Sequence, residues 1–186
     1  MSRKLFWDRV LDWGEIESPG SIFEIGAGHG ANFLAIREIY QEMELEPPHM
    51  RAVEHDENAC ADLVRQGFVA APEAIESCEI SSKHAYDMTI ATDVLCHLDG
   101  EVRDRALWML GALSRRWVLI AEPYAFGPTV MDYPARPDIH AMDYCGEFRR
   151  GHVGEFDLVD YGFAYHGDPE CPMNDLVWFL LKRKEL

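Results

Sequence analysis

The stretch Ile22–Gly30, which reads IFEIGAGHG, decides the fold of this chain. The short apolar run Ser21–Ile25 predicts a buried strand, and glycines stand at positions 26, 28 and 30 directly after it. Residues 31–43 then carry apolar side chains at helical spacing. Glycines between a strand and a helix allow a tight turn and let a ligand approach the backbone closely.

Strands and helices continue to alternate on both sides of this loop. Residues 1–20 predict an amino-terminal helix on the stripe Phe6, Val10 and Trp13, and residues 21–124 predict an alternating core. Further apolar strands are predicted at 50–54, 68–71, 86–91 and 117–121, with helices between them, including one at 101–114. Strands that are apolar throughout are typical of a parallel sheet covered on both faces.

The last third of the chain has a different pattern. Residues 125–155 contain several prolines and aromatic residues, which predicts an irregular cover followed by a short helix. Residues 156–186 predict an antiparallel hairpin, with strands at 158–163 and 176–182, that extends the edge of the sheet. We therefore predict one α/β domain over 1–186, with a mostly parallel, Rossmann-like sheet of seven strands.

Charge and cysteine content limit the partners and the location of the chain. Its 186 residues have a formal net charge of −16, and so acidic a surface disfavours nucleic acid and anionic membranes. No apolar stretch approaches the roughly 20 residues needed to cross a bilayer. Five widely spaced cysteines without a C-x-x-C pair predict reduced thiols in the cytoplasm.

We predict no metal site, because His140, Cys145 and His152 lack ligand spacing. The oligomeric state stays open.

Two kinds of ligand fit the glycine loop. Gly26, Gly28 and Ala31 partly match the dinucleotide pattern G-x-G-x-x-A, which places a pyrophosphate at the loop. S-adenosylmethionine instead brings an ammonium and a sulfonium, and Glu24 would favour these cations. Glu54 ends the predicted second strand, where an acid can accept hydrogen bonds from both ribose hydroxyls. The alternative is an ordinary turn in which Glu24 caps a helix or forms a salt bridge.

The pattern E-x-G-x-G-x-G with Glu54 downstream resembles the class I S-adenosylmethionine-dependent methyltransferase superfamily. Residues 85–98 look like its fourth-strand motif and residues 116–124 like its fifth strand. The third-strand region departs from the pattern, because Pro72 displaces the acid Glu73 that is expected at the adenine. The resemblance implies a class I methyltransferase fold, S-adenosylmethionine as cofactor, and contacts to it from Glu24, Gly26, Ala27, Gly28, Gly30, Glu54, His55, Glu73 and Asp93.

A narrower resemblance lies near the carboxyl terminus. The strings DYGF-x-YH-x-DP at 160–169 and DL-x-WFLL at 175–181 are similar to the methylases associated with pseudaminic acid biosynthesis, a nonulosonic-acid pathway of bacterial surface glycans. The segment 134–144 diverges from these proteins. The resemblance implies a small acceptor related to a sugar or a nonulosonic acid.

Catalytic and acceptor-side residues are predicted at the ends of the fourth and fifth strands and beyond. A hydroxyl acceptor needs a general base, and His97 titrates in the right range, with Asp93 and Glu122 beside it. Alternatively, His97 bonds to backbone at a helix start, Asp93 caps the next helix and Glu122 anchors the loop. The residues expected to line the acceptor pocket, or simply to pack, are Tyr124, Tyr133, His140, Tyr144 and His166.

Three other functions compete with small-molecule methylation. An NAD-dependent oxidoreductase shares the fold but should have a loop suited to phosphate. A non-catalytic member would keep the cofactor pocket without turnover. A methyltransferase for protein or RNA is disfavoured by the short chain and, for RNA, by the acidic charge.

Overall fold

The computed structural model of the chain describes residues 2–12, 18–80, 82–133, 136–167 and 174–185, with the side chains of 2, 12, 131–133 and 136–138 left aside. The helices in these ranges are α1 (Ser2–Asp12), α2 (Ala31–Glu42), α3 (Glu57–Arg65), α4 (Gly100–Leu113) and α5 (Tyr144–Gly151), with a 3₁₀ turn at Leu95–His97. The strands are β1 (Ser21–Ile25), β2 (His49–Val53), β3 (Val69–Ala71), β4 (Tyr86–Thr92), β5 (Ser114–Glu122), β6 (Thr129–Tyr133), β7 (Arg136–Ala141), β8 (Phe156–Ala164) and β9 (Leu176–Arg183).

Seven of these strands form one sheet in the order β3-β2-β1-β4-β5-β9-β8. The first five strands in this order, β3, β2, β1, β4 and β5, pair in parallel. Strand β9 lies between β5 and β8 and is antiparallel to both. This confirms the predicted Rossmann-like sheet with its antiparallel carboxyl-terminal hairpin. Because β1 to β5 run the same way, their carboxyl ends meet at one edge, where ligands bind in open α/β sheets.

The core lies on both faces of the sheet because successive side chains of a strand point in opposite directions. Ile22 packs in the cluster that contains α1 and α2, whereas Phe23 packs in the cluster that contains α4 and α5. The predicted amino-terminal helix is confirmed as α1, where Phe6 and Val10 are buried. The predicted stripe residue Trp13 lies outside the described residues.

The prediction of an irregular cover over 125–155 is wrong in its first half. β6 and β7 pair there as a separate antiparallel ribbon, and α5 follows as the expected short helix. Prolines led to the irregular interpretation, since they interrupt the hydrogen bonds of a central strand. In a two-stranded ribbon both strands are edges, so a proline such as Pro137 fits within β7.

Two further predictions concern thiols and membranes. The four cysteines in the described ranges, Cys60, Cys78, Cys96 and Cys145, are all buried and form no disulfide with one another. Cys171 lies outside these ranges. Among the helices that the structure describes, none has both the length and the apolar character needed to cross a bilayer.

Candidate functional site

The glycine loop follows β1 and has the left-handed backbone that glycine adopts most easily. Gly26 and Gly28 have φ angles of 67° and 52°. A Cβ atom on Gly26 would lie 2.3 Å from Cγ2 of Val94, so the loop approaches the end of β4 too closely for a side chain. A Cβ atom on Gly28 would meet no atom within 4 Å, so this glycine borders open space.

Glu54 joins the end of β2 to this loop. Its Oε2 atom accepts a hydrogen bond from the backbone N–H of Gly28 at 2.8 Å, and its Oε1 atom accepts one from Asp56 N–H at 2.9 Å. Asp56 itself caps α3 by accepting from the N–H groups of Asn58 and Ala59. Glu54 is therefore held in place, with 5% of its surface exposed, directly beside the loop.

A cavity of about 470 Å³, here called the loop cavity, opens at the carboxyl ends of β1, β2, β3 and β4. Its volume lies in the range for small-molecule sites. Six predicted residues line it, namely Gly26, Glu54, His55, Glu73, Asp93 and His97. Four carboxylates border it, from Glu54, Glu73, Glu76 and Asp93, and neither lysine nor arginine is among the residues described as lining it.

Glu24 lies away from the loop cavity. It shares the α1 and α2 side of the sheet with Ile22, it has no exposed surface, and its Oε1 atom accepts a hydrogen bond from Asn32 of α2. Asn32 in turn accepts one from the indole N–H of Trp7 at 3.0 Å. Desolvation raises the pKa of Glu24 to about 7. The prediction that Glu24 contacts the cofactor therefore does not fit, because strand alternation turns its carboxylate into the helix layer.

Two other predicted loop residues act through the backbone rather than through side chains. The Cβ atom of Ala27 is buried in the core, and its carbonyl accepts a hydrogen bond from Gly30 N–H at 3.0 Å. Gly30 is the N-cap residue directly before α2, and a Cβ atom there would lie 2.7 Å from Leu63 of α3. Both residues shape the loop.

A second cavity of about 240 Å³, here called the hairpin cavity, lies between the end of β5 and the β8–β9 hairpin. Its lining residues are Asp93, Pro123, Ile139, His166, Asn174, Asp175 and Leu176. Asp93 lines both cavities, so the two cavities are neighbours on either side of this residue. In the hairpin cavity the Nδ1 atom of His166 lies 2.8 Å from Oδ2 of Asp175.

Glu122 anchors the turn that carries Asp93 and His97. Its carboxylate, 1% exposed, accepts hydrogen bonds from the N–H groups of Val94 at 3.0 Å, Leu95 at 3.0 Å and Cys96 at 3.3 Å. Desolvation raises the pKa of Glu122 to about 7, although these hydrogen bonds act in the opposite direction and lower it. The buried, fully engaged carboxylate fits the predicted anchor rather than a catalytic group.

Asp93 does not cap the following turn, although its position suited that role. The Asp93 carboxylate accepts from the Sγ atom of Cys96 at 3.7 Å and from the side-chain amide of Asn174. The turn has no side-chain cap, because the carboxylate of Glu122 from the neighbouring strand occupies its N–H groups. The backbone of Asp93 has a φ of 56°, which is uncommon for a residue with a side chain.

The predicted acceptor residues separate in the structure. Among those whose side chains the structure describes, only His166 lines the hairpin cavity, whereas His140 lines a different cavity together with Arg103. Tyr144 is 1% exposed, its hydroxyl donates to the carbonyl of His140, and burial raises its pKa. Tyr124 packs its ring against Phe126 and Phe179. Tyr133 ends β6, and its side chain lies outside the described part of the chain.

Sequence reasoning assigned no role to three residues that reach this site. Asp175 was noted only as the first residue of the string at 175–181, and Asn174 directly precedes it. Polar residues just before the antiparallel strand β9 must nevertheless lie at the ligand edge of the sheet. Cys96 follows Asp93 at i+3 and precedes His97, and these three side chains place ligand-type atoms within 4.8 Å of one another. That spacing was visible in the sequence.

Comparisons with known proteins identify the fold. No protein-family model and no curated protein sequence matches the chain. Among solved structures, magnesium protoporphyrin IX methyltransferase from Synechocystis PCC 6803 with bound SAM superposes with a TM-score of 0.67 at 13% identity, covering 98% of this chain and 80% of that one. The chain has the class I methyltransferase fold.

Two more structures with this fold differ in their chemistry. The 1,6-didemethyltoxoflavin-N1-methyltransferase of Burkholderia thailandensis, with its substrate and S-adenosylhomocysteine bound, has a TM-score of 0.67 at 14% identity and 98% and 77% coverage. The [4+2]-cyclase SpnF also has a TM-score of 0.67, at 11% identity and 98% and 82% coverage. A class I methyltransferase fold therefore leaves the reaction to be argued from the site.

Proposed function

We propose that this chain is a cytoplasmic S-adenosylmethionine-dependent methyltransferase that acts on a small molecule, a sugar or nonulosonic-acid derivative. The loop cavity would hold the cofactor, and the hairpin cavity would hold the acceptor. Asp93, which borders both cavities, lies where methyl donor and acceptor would meet.

The negative charge of the residues that line the loop cavity is the main support for this proposal. Four carboxylates and no described lysine or arginine border it, which favours a ligand with an ammonium and a sulfonium over one with a pyrophosphate. The N–H group of Gly28, which could bind a phosphate, donates instead to the carboxylate of Glu54. Both observations disfavour the NAD-dependent alternative.

Residues that line the loop cavity at the ends of the strands are assigned to individual parts of the cofactor by their positions. Glu54 stands just beyond β2 and presents a carboxylate to the cavity, as hydrogen bonding to two ribose hydroxyls requires. Glu73 lines the same cavity after β3 despite the preceding Pro72, which supports its assignment to the adenine. We assign Gly26 and Gly28 to the backbone surface against which the cofactor packs.

The hairpin cavity has the mixed lining that suits a sugar ring. Pro123, Ile139 and Leu176 offer apolar surface to ring C–H groups, and Asn174 offers an amide. Asp93 and Asp175 would repel a carboxylate, so we propose that the acceptor enters with its hydroxyl groups and keeps any carboxylate toward solvent.

His166 is the base that this geometry favours over His97. S-adenosylmethionine, when bound, supplies an electrophilic methyl group for in-line displacement. Because the carboxylate of Asp175 can only accept, Nδ1 of His166 donates to it at 2.8 Å, which leaves Nε2 to take the proton of an acceptor hydroxyl. The backbone N–H of His166 also donates to Asp175, and these bonds lower the pKa of that carboxyl group.

Transfer of a labelled methyl group tests this proposal. The purified chain is incubated with methyl-labelled S-adenosylmethionine and a panel of small sugars and nonulosonic acids, and products are separated by mass. We expect label in at least one acceptor. Tight binding of S-adenosylhomocysteine without transfer to any member would instead favour a non-catalytic, cofactor-binding role.

A further inference from the structure

We propose that Asp93, Cys96 and His97 form a binding site for a divalent transition-metal ion of the zinc class, beside the loop cavity that Asp93 and His97 line. One carboxylate oxygen, one thiol sulfur and one imidazole nitrogen lie within 4.8 Å of one another there. These are the donor types that zinc takes in proteins, and three protein donors leave a fourth position open.

The distances support this donor set. With Zn–O and Zn–S bonds of about 2.1 and 2.3 Å, tetrahedral geometry places the oxygen and sulfur about 3.6 Å apart. Oδ1 of Asp93 lies 3.7 Å from Sγ of Cys96, so this pair needs almost no adjustment. The side chain of His97 is exposed, and one of its ring nitrogens lies within 4.8 Å of both other donor atoms.

The turn that carries these residues is rigidly supported. Glu122 accepts three consecutive backbone N–H groups of the turn, and the N–H of Asp93 donates to the carbonyl of Ala121 at 2.9 Å. The amide of Asn174 donates to the other carboxylate oxygen of Asp93, which orients Oδ1 toward Cys96. Oriented ligands of this kind are what a metal site requires of its surroundings.

The backbone of Asp93 fixes the start of the turn that carries all three donors. Its φ of 56° is left-handed, a conformation that aspartate adopts more readily than most residues with a side chain. Asp93 is also the residue that lines both cavities. An ion held by Asp93 and His97, which both line the loop cavity, would lower the pKa of a hydroxyl group bound at its open coordination position.

Cobalt binding tests the site without an acceptor and without turnover. The chain is treated with a chelator, dialysed and titrated with Co²⁺, with thiolate-to-cobalt charge-transfer absorption as the signal and Zn²⁺ as the competitor. We expect one ion per chain, a charge-transfer band that Zn²⁺ abolishes, and loss of that band in Cys96→Ser. Cys145→Ser is the matched control, because this thiol is also buried, its pKa is raised to about 11, and it lies in α5.

A second pair of variants keeps the test decisive if Cys96→Ser fails to fold, because Cys96 is buried. His97→Gln changes an exposed side chain and should weaken Co²⁺ binding by at least about tenfold, the minimum seen when even supporting residues of metal sites are lost. His49→Gln, also exposed, should leave binding unchanged. A band that survives both Cys96→Ser and His97→Gln, or a wild-type chain that binds no Co²⁺, would overturn the proposal. S-adenosylhomocysteine affinity, measured on the same samples, reports separately on the proposed methyltransferase function.

Discussion

The carboxylate of Glu54 accepts a hydrogen bond from the backbone N–H of Gly28 at 2.8 Å, which ties the end of β2 to the glycine loop after β1. Two parts of the sequence that were identified by separate patterns thus form one wall of the loop cavity. The bond engages an N–H group that could otherwise bind a phosphate, and Glu54 lines the loop cavity with a carboxylate.

Glu54→Ala should weaken binding of S-adenosylhomocysteine by about 1.5–3 kcal/mol, the range for hydrogen bonds to a charged group, or roughly 10- to 150-fold in Kd. Isothermal titration calorimetry measures this directly. Glu57→Ala, an exposed acid in α3, is the control and should bind normally. A loss well below 1 kcal/mol in Glu54→Ala would assign the ribose to another residue.

Gly28→Val should abolish binding of S-adenosylhomocysteine, because the new side chain would fill the open space beside the loop. The left-handed backbone at Gly28 also makes valine strained, so the control must share that strain. Gly154→Val does so, since Gly154 has a φ of 76° and open space around it in the loop before β8. If both variants bind the ligand equally well, the loop does not form the cofactor surface.

Glu24→Gln should change how stability depends on pH. The pKa of Glu24 is about 7 in the folded chain and near 4.5 when unfolded, so the folded state binds more protons between these values. The wild-type free energy of unfolding should therefore fall as pH rises from about 4.5 to about 7, by up to about 3 kcal/mol from this group.

Urea unfolding at pH 5 and pH 8.5 measures this effect in wild type, Glu24→Gln and Glu38→Gln. Comparing the two pH values within each variant cancels the constant cost of the new amide. Glu24→Gln should lose less stability than wild type between pH 5 and pH 8.5, whereas the exposed Glu38 should make no difference. Equal pH dependence in all three proteins would mean that Glu24 is charged throughout.

His166→Ala should lower turnover by roughly 10²–10⁴-fold once an acceptor is known, because a positioned general base contributes this much. Affinity for S-adenosylhomocysteine should stay close to normal, since His166 lies on the hairpin cavity. Asp175→Asn should shift the pH–rate profile, because the amide cannot hold His166 as the carboxylate does. A large loss in His97→Ala with near-normal rates in His166→Ala would return the base to His97.

Much of the fold could be predicted because the decisive signals are local. The apolar strands, the helix after Gly30 and the antiparallel hairpin at the carboxyl terminus all follow from hydrophobic period and turn residues. The β6–β7 ribbon was missed because prolines around it indicate irregular structure, and only pairing with another edge strand makes them compatible with β-structure.

The site was harder to predict, because side-chain direction depends on tertiary context. Glu54 and Asp93, which were selected for their positions at strand ends, both line the loop cavity. Glu24 is adjacent to the loop in sequence, yet strand alternation turns it toward Asn32. Glu122, and not Asp93, accepts the N–H groups of the turn after β4. This choice depends on how β4 and β5 pair in the sheet, and no local sequence pattern encodes that pairing.

The central claim is that the loop cavity binds S-adenosylmethionine rather than a dinucleotide. Calorimetric titration of the wild-type chain with S-adenosylhomocysteine and, separately, with NAD tests it most directly. The acidic lining and the Glu54–Gly28 bond predict saturable binding of one S-adenosylhomocysteine per chain and no heat of binding from NAD. Saturable binding of NAD without binding of S-adenosylhomocysteine would contradict the account.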